Sequence, residues 1–353
     1  MSGLKALLAR RIRRLGPISV AEYMNICLLH PTHGYYMRGD PLGRQGDFTT
    51  APEISQMFGE MLGAALVECW RNQGQPAPFA LAELGPGRGT LMADILRVGQ
   101  SVPDFLTAAN PWLVEASPVL RDRQERELHG RRARWTTQIS GLPEMPVFLV
   151  ANEFFDALPI RQFVCTGAGW QERMIGLDGD DLVFGLATPI PHAAFSAGPE
   201  KPVPGDLVEV SPAGAAIMSE IAHQITAHGG AAIIVDYGHA GQIGETFQAV
   251  RGHAHADPLA DPGQADLTAH VDFAALARAA RAVSATGLTD QGVLLERLGI
   301  ASRAKRLATW LEGSALRSHL AAYRRLTHPD EMGSLFKAMA FHANGTTPPP
   351  GFD

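Results

Sequence analysis

With 353 residues, 46% of them hydrophobic and 19% charged, the chain has a globular composition and is too long for one small domain. A formal net charge of −6 excludes an overall basic character suited to nucleic acid or a membrane surface, while leaving room for a local basic patch. Cys27, Cys69 and Cys165 lie far apart and make neither a zinc motif nor a disulfide framework, which suits a reducing compartment, and no apolar run reaches the ~18 residues of a membrane span.

The first stretch, Met1 to Ser19, carries Lys5, Arg10, Arg11, Arg13 and Arg14 and no acid. It reads as an amphipathic helix with Leu4, Leu7, Leu8 and Ile12 on one face, and a transit peptide is the alternative. Ser19-Val-Ala-Glu22 predicts a capped helix that ends before Pro31. His33-Gly34-Tyr35-Tyr36 and a loop rich in glycine and charge, residues 39–50, follow; the loop is either a connector or an active-site lid. Thr50-Ala-Pro-Glu53 is a second capping box, opening a helix with Ile54, Met57, Phe58, Met61, Leu62 and Leu66 at core spacing.

A parallel sheet is predicted to begin with a buried strand over 79–84. It runs into Glu83-Leu-Gly85-Pro-Gly87-Arg-Gly89-Thr90 and a helix carrying Leu91, Met92, Ile95 and Leu96. The spacing G-x-G-x-G differs from the G-x-G-x-x-G of dinucleotide folds, and no Gly-Lys-Ser/Thr makes it a P-loop. A carboxylate two residues before the first glycine would repel a pyrophosphate. It suits a cofactor bearing an ammonium and a sulfonium, which points to S-adenosylmethionine (SAM). The second strand, Trp112 to Val114, ends in Glu115, placed to accept both ribose hydroxyls of an adenosine. The interval to it exceeds the usual ~20 residues, so the intervening helix and loop are enlarged.

A charged helix over 118–128 and a short third strand near Trp135 come next. A fourth strand, 147–151, runs into Asn152-Glu153-Phe154-Phe155-Asp156-Ala-Leu-Pro159, a polar and aromatic segment at a strand's carboxyl end, where an acceptor would sit. Residues 161–204 break the rhythm with antiparallel strands, either an insertion or an extension of the sheet. A helix over 213–228 leads to a fifth strand, 231–235, and Asp236-Tyr237-Gly238. His253, His255, Asp257, Asp261, Asp266, His270 and Asp272 match no ligand spacing, so no metal is expected there. The rest to His328 reads as helical, with Arg303, Lys305 and Arg306 on a solvated face, and 335–341 reads as a last strand.

Taken together the residues resemble the class I SAM-dependent methyltransferases, which share the strand, the E-x-G-x-G-x-G loop and the second-strand acid. More narrowly the chain looks like the MidA-type family, which includes the mitochondrial complex I assembly-factor protein arginine methyltransferase. The resemblance covers nearly the whole chain. It rests on Gly16-Pro-Ile-Ser19, His33 to Tyr36, Gly46-Asp-Phe-Thr-Thr-Ala-Pro-Glu53, Glu83 to Gly89, Asn152 to Pro159, Val235 to Gly238 and Asp266-Leu-Thr-Ala-His270. It implies an α/β Rossmann-like doubly wound sheet with an N-terminal helical lid, an inserted β segment and a helical C-terminal insertion. The corresponding regions are 1–75; 76–160 with 205–250 and 330–345; 161–204; and 251–329. The compartment it implies is the bacterial cytoplasm, with the mitochondrial matrix as alternative.

The resemblance also implies SAM at Glu83, Gly85, Gly87, Gly89 and Glu115, with a protein arginine, on a respiratory subunit or assembly partner, as acceptor. A guanidinium needs carboxylates that align its fork. Glu153 and Asp156 are the candidates, with Asn152 to orient either. Phe154, Phe155 and Tyr237 are expected to wall or stack on the acceptor. Asp47 is expected to reach the methionine ammonium with Gly46 allowing its approach, and Tyr35 and Tyr36 to close the site. A small-molecule methyltransferase, a SAM-binding assembly factor without catalysis and an NAD-dependent oxidoreductase are the competing readings; the acid and glycine spacing count against the last. The oligomeric state is not legible.

Overall fold

The structure is a computed structural model that describes residues 3–38, 49–241 and 243–352. The chain forms two compact units, one made of Thr49–Phe155, Ile217–Ala240 and Val271–Asp353, the other of the N-terminal residues, Asp156–Ala216 and Gly241–His270.

The first unit is built on a sheet. Its strands in chain order are β1 (Phe79–Leu84), β2 (Ala109–Val114), β3 (Arg134–Thr136), β4 (Val147–Asn152), β5 (Gly230–His239) and β6 (Phe336–His342). They lie side by side as β3-β2-β1-β4-β5-β6, the first five parallel and β6 antiparallel to β5. Residues Ser284–Ala285 and Thr289–Asp290 pair with the far side of β6, and Val271–Asp272 with the end of β5. The continuous apolar runs of β1 and β4 are buried at every residue, as central strands of a doubly covered parallel sheet must be. The chain winds outward from β1 in one direction and from β4 in the other. The β1–β4 boundary is therefore where ligands of such sheets bind, outside the carboxyl ends.

The helices that matter below are α1 (Ala51–Ile54), α2 (Gln56–Asn72), α3 (Thr90–Gly99), α4 (Pro118–Glu127), α5 (Ile300–Ala308) and α6 (Gly313–Thr327). Alternate residues of the strands, Phe79 and Leu81, Phe148 and Val150, Ile233 and Val235, point into one cluster with the apolar faces of α2 and α3. Phe79 is its hub, with ring centroids 5.0 Å from Phe105, 5.2 Å from Phe148 and 6.1 Å from Trp70. The helices from 291 onward join the same cluster through Leu294, Leu295, Ile300, Ala304 and Leu326. Helices α2 and α3 approach closely because Gly59 faces Asp94; a Cβ there would stand 2.5 Å from the Asp94 Cβ.

Two local expectations need correction. Thr50 makes no side-chain cap, and Glu53 does not close a capping box. The helix breaks at Ser55, whose extended backbone (φ −162°) separates α1 from α2 and whose hydroxyl accepts from the Met57 N–H. Arg303 is not simply solvated. Its Nε and Nη2 donate to Glu60 at 2.7 Å each, a bidentate pair that lets Glu60 be buried on α2.

In the other unit the helix Gly3–Leu15 buries Leu4, Leu8, Ala9 and Ile12, so these residues are a packed element of the fold. Ser19 caps the helix Val20–Leu29 by accepting from the Glu22 N–H at 3.1 Å, while the Glu22 carboxylate pairs with Arg11. Strands Arg161–Thr166, Gly169–Asp178, Asp181–Leu186 and Leu207–Val210 form a separate antiparallel sheet with Ile18–Ser19, rather than extending the main one. Gln248–Arg251, Ala254–Ala256 and Asp266–Thr268 make a small three-stranded sheet within the segment rich in His and Asp.

The aromatic hub gives a stability prediction. Phe79→Ala should cost ~3–5 kcal/mol, read from the urea midpoint of the sheet unit. A loss below ~1 kcal/mol would show that the cluster repacks around the cavity.

Candidate functional site

At the β1–β4 boundary three strand ends lie level, with Leu84 opposite Val114 on one side and Ala151 on the other. The loop after β1 turns through three left-handed glycines, Gly85 (φ 58°), Gly87 (φ 52°) and Gly89 (φ 86°). The Gly85 N–H donates to the Val114 carbonyl at 3.1 Å, and Gly89 is the N-cap of α3. Beneath the loop the Glu83 carboxyl is buried. The Met92 N–H in the first turn of α3 donates to it, yet its Oε2 has no partner among the described residues. Burial, together with the charges of Asp94 and Glu115, pushes Glu83 up to about 8, against that backbone hydrogen bond.

Glu115 stands just past β2. Its Oε1 accepts from the Ser117 N–H at 2.7 Å and its Oε2 from the Gln124 Nε2 at 2.9 Å. Gln124, on α4 and fully buried, was not singled out by sequence, because a glutamine within a charged helix carries no signal. Its amide also donates to the Gly87 carbonyl at 2.8 Å and accepts from the Trp135 indole N–H at 2.9 Å. Those partners fix which amide atom is which, since an indole only donates and a carbonyl only accepts. One side chain therefore ties the glycine loop to the second-strand acid.

The loop after β4 is equally constrained. Glu153 adopts a left-handed backbone (φ 53°), uncommon for a residue with a side chain. The turn is held by the Glu153 N–H to the Val235 carbonyl at 2.9 Å. It is held further by Asp236, fully buried at the end of β5, whose Oδ2 accepts from the Phe154 and Phe155 N–H groups at 3.1 and 3.0 Å. Glu153 Oε1 accepts from Asn152 Nδ2 and from the Ala51 N–H, 2.9 Å each, so the carboxylate also caps α1. From the other end of α1, Glu53 accepts from the Thr90 hydroxyl at 2.5 Å and lies 3.4 Å from Arg88. Helix α1 thus bridges the two strand-end loops. Glu53 and Asp236 brace the two loops in a way that sequence spacing does not reveal, since Thr50-Ala-Pro-Glu53 reads as a capping box.

The sheet unit brings together Glu83, Gly85, Gly87, Gly89, Glu115, Asn152, Glu153, Phe154 and Phe155. Phe154 belongs with the glycine loop, for a Cβ on Gly85 would meet its ring at 2.8 Å. Phe155 is buried and meets Phe154 edge-on. Tyr237 packs edge-on against Phe336, its neighbour across the strand pair. Tyr35, Tyr36 and Asp156 fall in the other unit. There the Tyr36 hydroxyl donates to Asp266 at 2.7 Å, and burial, then Asp266 and Asp156, raises it well above the usual phenol value. The Asp156 carbonyl accepts from the Ala269 N–H. Gly46 and Asp47 lie outside the described residues.

These residues fit SAM. The orphaned Glu83 Oε2 and Asn152 Oδ1 are acceptors buried without a partner among the described residues, suited to an ammonium or hydroxyl donor. The side-chain-free loop allows close approach of a ligand. Residues 61–292 match the model of a family of S-adenosyl-L-methionine-dependent methyltransferases. The chain belongs to this family. Among its relatives, the mitochondrial protein arginine methyltransferase NDUFAF7 of Xenopus laevis is 40% identical, over 93% of this chain and 81% of that protein. The human protein of the same name is 38% identical, over 94% and 81%. A crystal structure from Burkholderia thailandensis, bound to S-adenosyl-homocysteine, superposes with a TM-score of 0.81 at 28% identity, covering 99% of this chain and 92% of that one. The chain is thus a SAM-dependent methyltransferase with the family's α/β fold.

Because Glu83 titrates higher when folded than free, its favourable contribution to stability is present at low pH and lost as pH rises through about 8. A bound cation favours the ionised form instead, so SAM affinity should rise by up to tenfold per pH unit toward 8 and then level, with proton release below it. Calorimetric titration across that range, with Glu83→Gln as control, checks this; a flat profile in the native protein would remove Glu83 from contact with the cofactor's charge. Gln124→Leu should weaken SAM ~10- to 100-fold. A double-mutant cycle with Glu115→Gln should be non-additive by at least ~0.5 kcal/mol, and strict additivity would mean that Gln124 does not act through Glu115.

Proposed function

We propose that this methyltransferase transfers a methyl group from SAM to a guanidinium nitrogen of an arginine in a protein, a respiratory-complex subunit or its assembly partner being the substrate class. The relatives named for protein arginine methylation span nearly the whole chain at 38–40% identity, which favours the same acceptor here. The observation that carries the reading is Glu153, a carboxylate held at the end of β4 by a left-handed turn, by its Asn152 contact and by the Asp236 brace beneath it. A rigidly aimed carboxylate at the ligand-binding end of the sheet is what an incoming guanidinium requires.

SAM supplies the electrophilic methyl when bound. The chain's part is to hold the acceptor nitrogen in line and keep water away. Glu153 accepts hydrogen bonds from the guanidinium and keeps its charge away from the attacking nitrogen. Asn152 fixes the carboxylate's rotamer, and Asp156, three residues on, is the second carboxylate of the proposal. The proton released by the methylated nitrogen passes to a carboxylate or to solvent. Phe155 and Tyr237 serve as apolar walls. Three buried free cysteines suit a reducing compartment, bacterial cytoplasm or mitochondrial matrix.

Glu153→Gln should lower kcat by at least ~100-fold while SAM affinity changes less than about threefold. Methyl incorporation into respiratory-subunit peptides containing arginine, beside their Arg→Lys versions, is the assay. Native turnover in the mutant, or equal labelling of both peptides, would overturn the assignment.

A further inference from the structure

The methyltransferase site makes no use of the hairpin formed by α5 and α6, yet the charge of this hairpin is strongly one-sided. Ile300 to Thr327 carries Arg303, Lys305, Arg306, Arg317, Arg324 and Arg325 against a single carboxylate, Glu312, in a chain of net charge −6. Two of these cations are engaged, Arg303 with Glu60 and Arg324 with Glu331. Lys305, Arg306, Arg317 and Arg325 have no acidic partner among the described residues. Between the helices, in the turn, Trp310 is 85% exposed, and Leu320 on α6 is 51% exposed. The inward faces are already occupied: Ile300, Ala304 and Leu326 are in the core, and the His319 ring bonds the Ala304 carbonyl at 2.9 Å.

Lys305 and Arg306 lie in the last turn of α5, and Arg317 lies just past the first turn of α6. At 1.5 Å per residue all three stand within ~10 Å of the turn, a cationic collar around a protruding indole. A cationic collar repels the guanidinium proposed as acceptor, so this surface serves a different partner. That partner is anionic by charge complementarity. A tryptophan this exposed and ringed by cations suits an environment that accepts an indole without a matching socket. The headgroup layer of a bilayer is such an environment, whereas a folded acidic protein would have to supply a pocket shaped to the indole.

We propose that the α5–α6 tip is an interfacial contact for an anionic lipid surface, Trp310 seating in the headgroup region and Lys305, Arg306 and Arg317 pairing with lipid phosphates. No helix of the described residues is long and apolar enough to cross a membrane, so the contact is peripheral. Each near-surface cation contributes about fivefold to such binding, so it is weak and reversible and falls with salt.

The test is co-sedimentation of the full chain with vesicles of phosphatidylcholine containing about 30 mol% phosphatidylglycerol, beside phosphatidylcholine alone. SAM titration of each variant serves as the fold control. The native chain should partition to anionic vesicles only. Arg306→Glu with Arg317→Glu should weaken partitioning at least ~25-fold, and Trp310→Ala should weaken it and remove the blue shift of emission on binding. Absence of binding, or binding unaffected by these variants in folded protein, would overturn the proposal. So would equal capture by soluble polyglutamate or an oligonucleotide without need of Trp310, which would assign the tip to an acidic macromolecule.

Discussion

A strand buried on both faces has one place for a carboxylate, its end. β1 and β4 are closed in by neighbours and by helices along their whole length, so the polar groups of the sheet unit gather where these strands stop. Every one of them there must find a hydrogen bond or a ligand. Asp236 satisfies this by accepting from three backbone amides, those of Phe154, Phe155 and Tyr237. Glu115 does so through Ser117 and Gln124. Glu83 and Asn152 keep one buried acceptor each without a partner among the described residues.

The division of labour follows from this accounting. A hydrogen bond from the chain fixes a carboxylate's geometry, as at Glu115 and Asp236, and its remaining lone pairs keep capacity for a ligand. Carboxylates near the ends of strands in one sheet therefore stand in different states: Asp236 shapes the turn that presents Glu153, while Glu83 keeps a buried oxygen without a partner among the described residues. The peptide geometry at Glu153 is a strained arrangement kept in place by contacts on both sides, as at sites where a side chain must be aimed.

Much of this was legible in the sequence because it is local. The bounds of β1, the glycine loop and α3 follow from an apolar run, three glycines and helical spacing, and Glu83 and Glu115 fall at the ends of adjacent parallel strands. The carboxylates' partners were not legible. Gln124 lies 37 residues from Gly87 and Asp236 lies 82 from Phe154, and nothing in the spacing of either pair signals contact. Glu53 was misread for a related reason. Its position three residues after a threonine mimics a capping box, but Ser55 ends the helix at once and frees the carboxylate for Thr90. Arg303 looked like a surface charge because its partner Glu60 is 243 residues away.

Helix α1 also sets the order in which the site can be completed as the chain folds. Its link to the glycine loop spans 37 residues, from Glu53 to Thr90, and closes a modest loop. Its link to Glu153 spans 102 residues, and the brace from Asp236 to Phe154 spans a further 82. Since loop closure costs more entropy as separation grows, the cofactor loop can take shape early, while the aimed carboxylate waits for the chain through β5. A nascent or truncated chain that stops short of Asp236 therefore has the means to form the nucleotide corner but not to hold Glu153. The glycine corner and the turn that aims Glu153 are completed at different stages of the same polypeptide's folding.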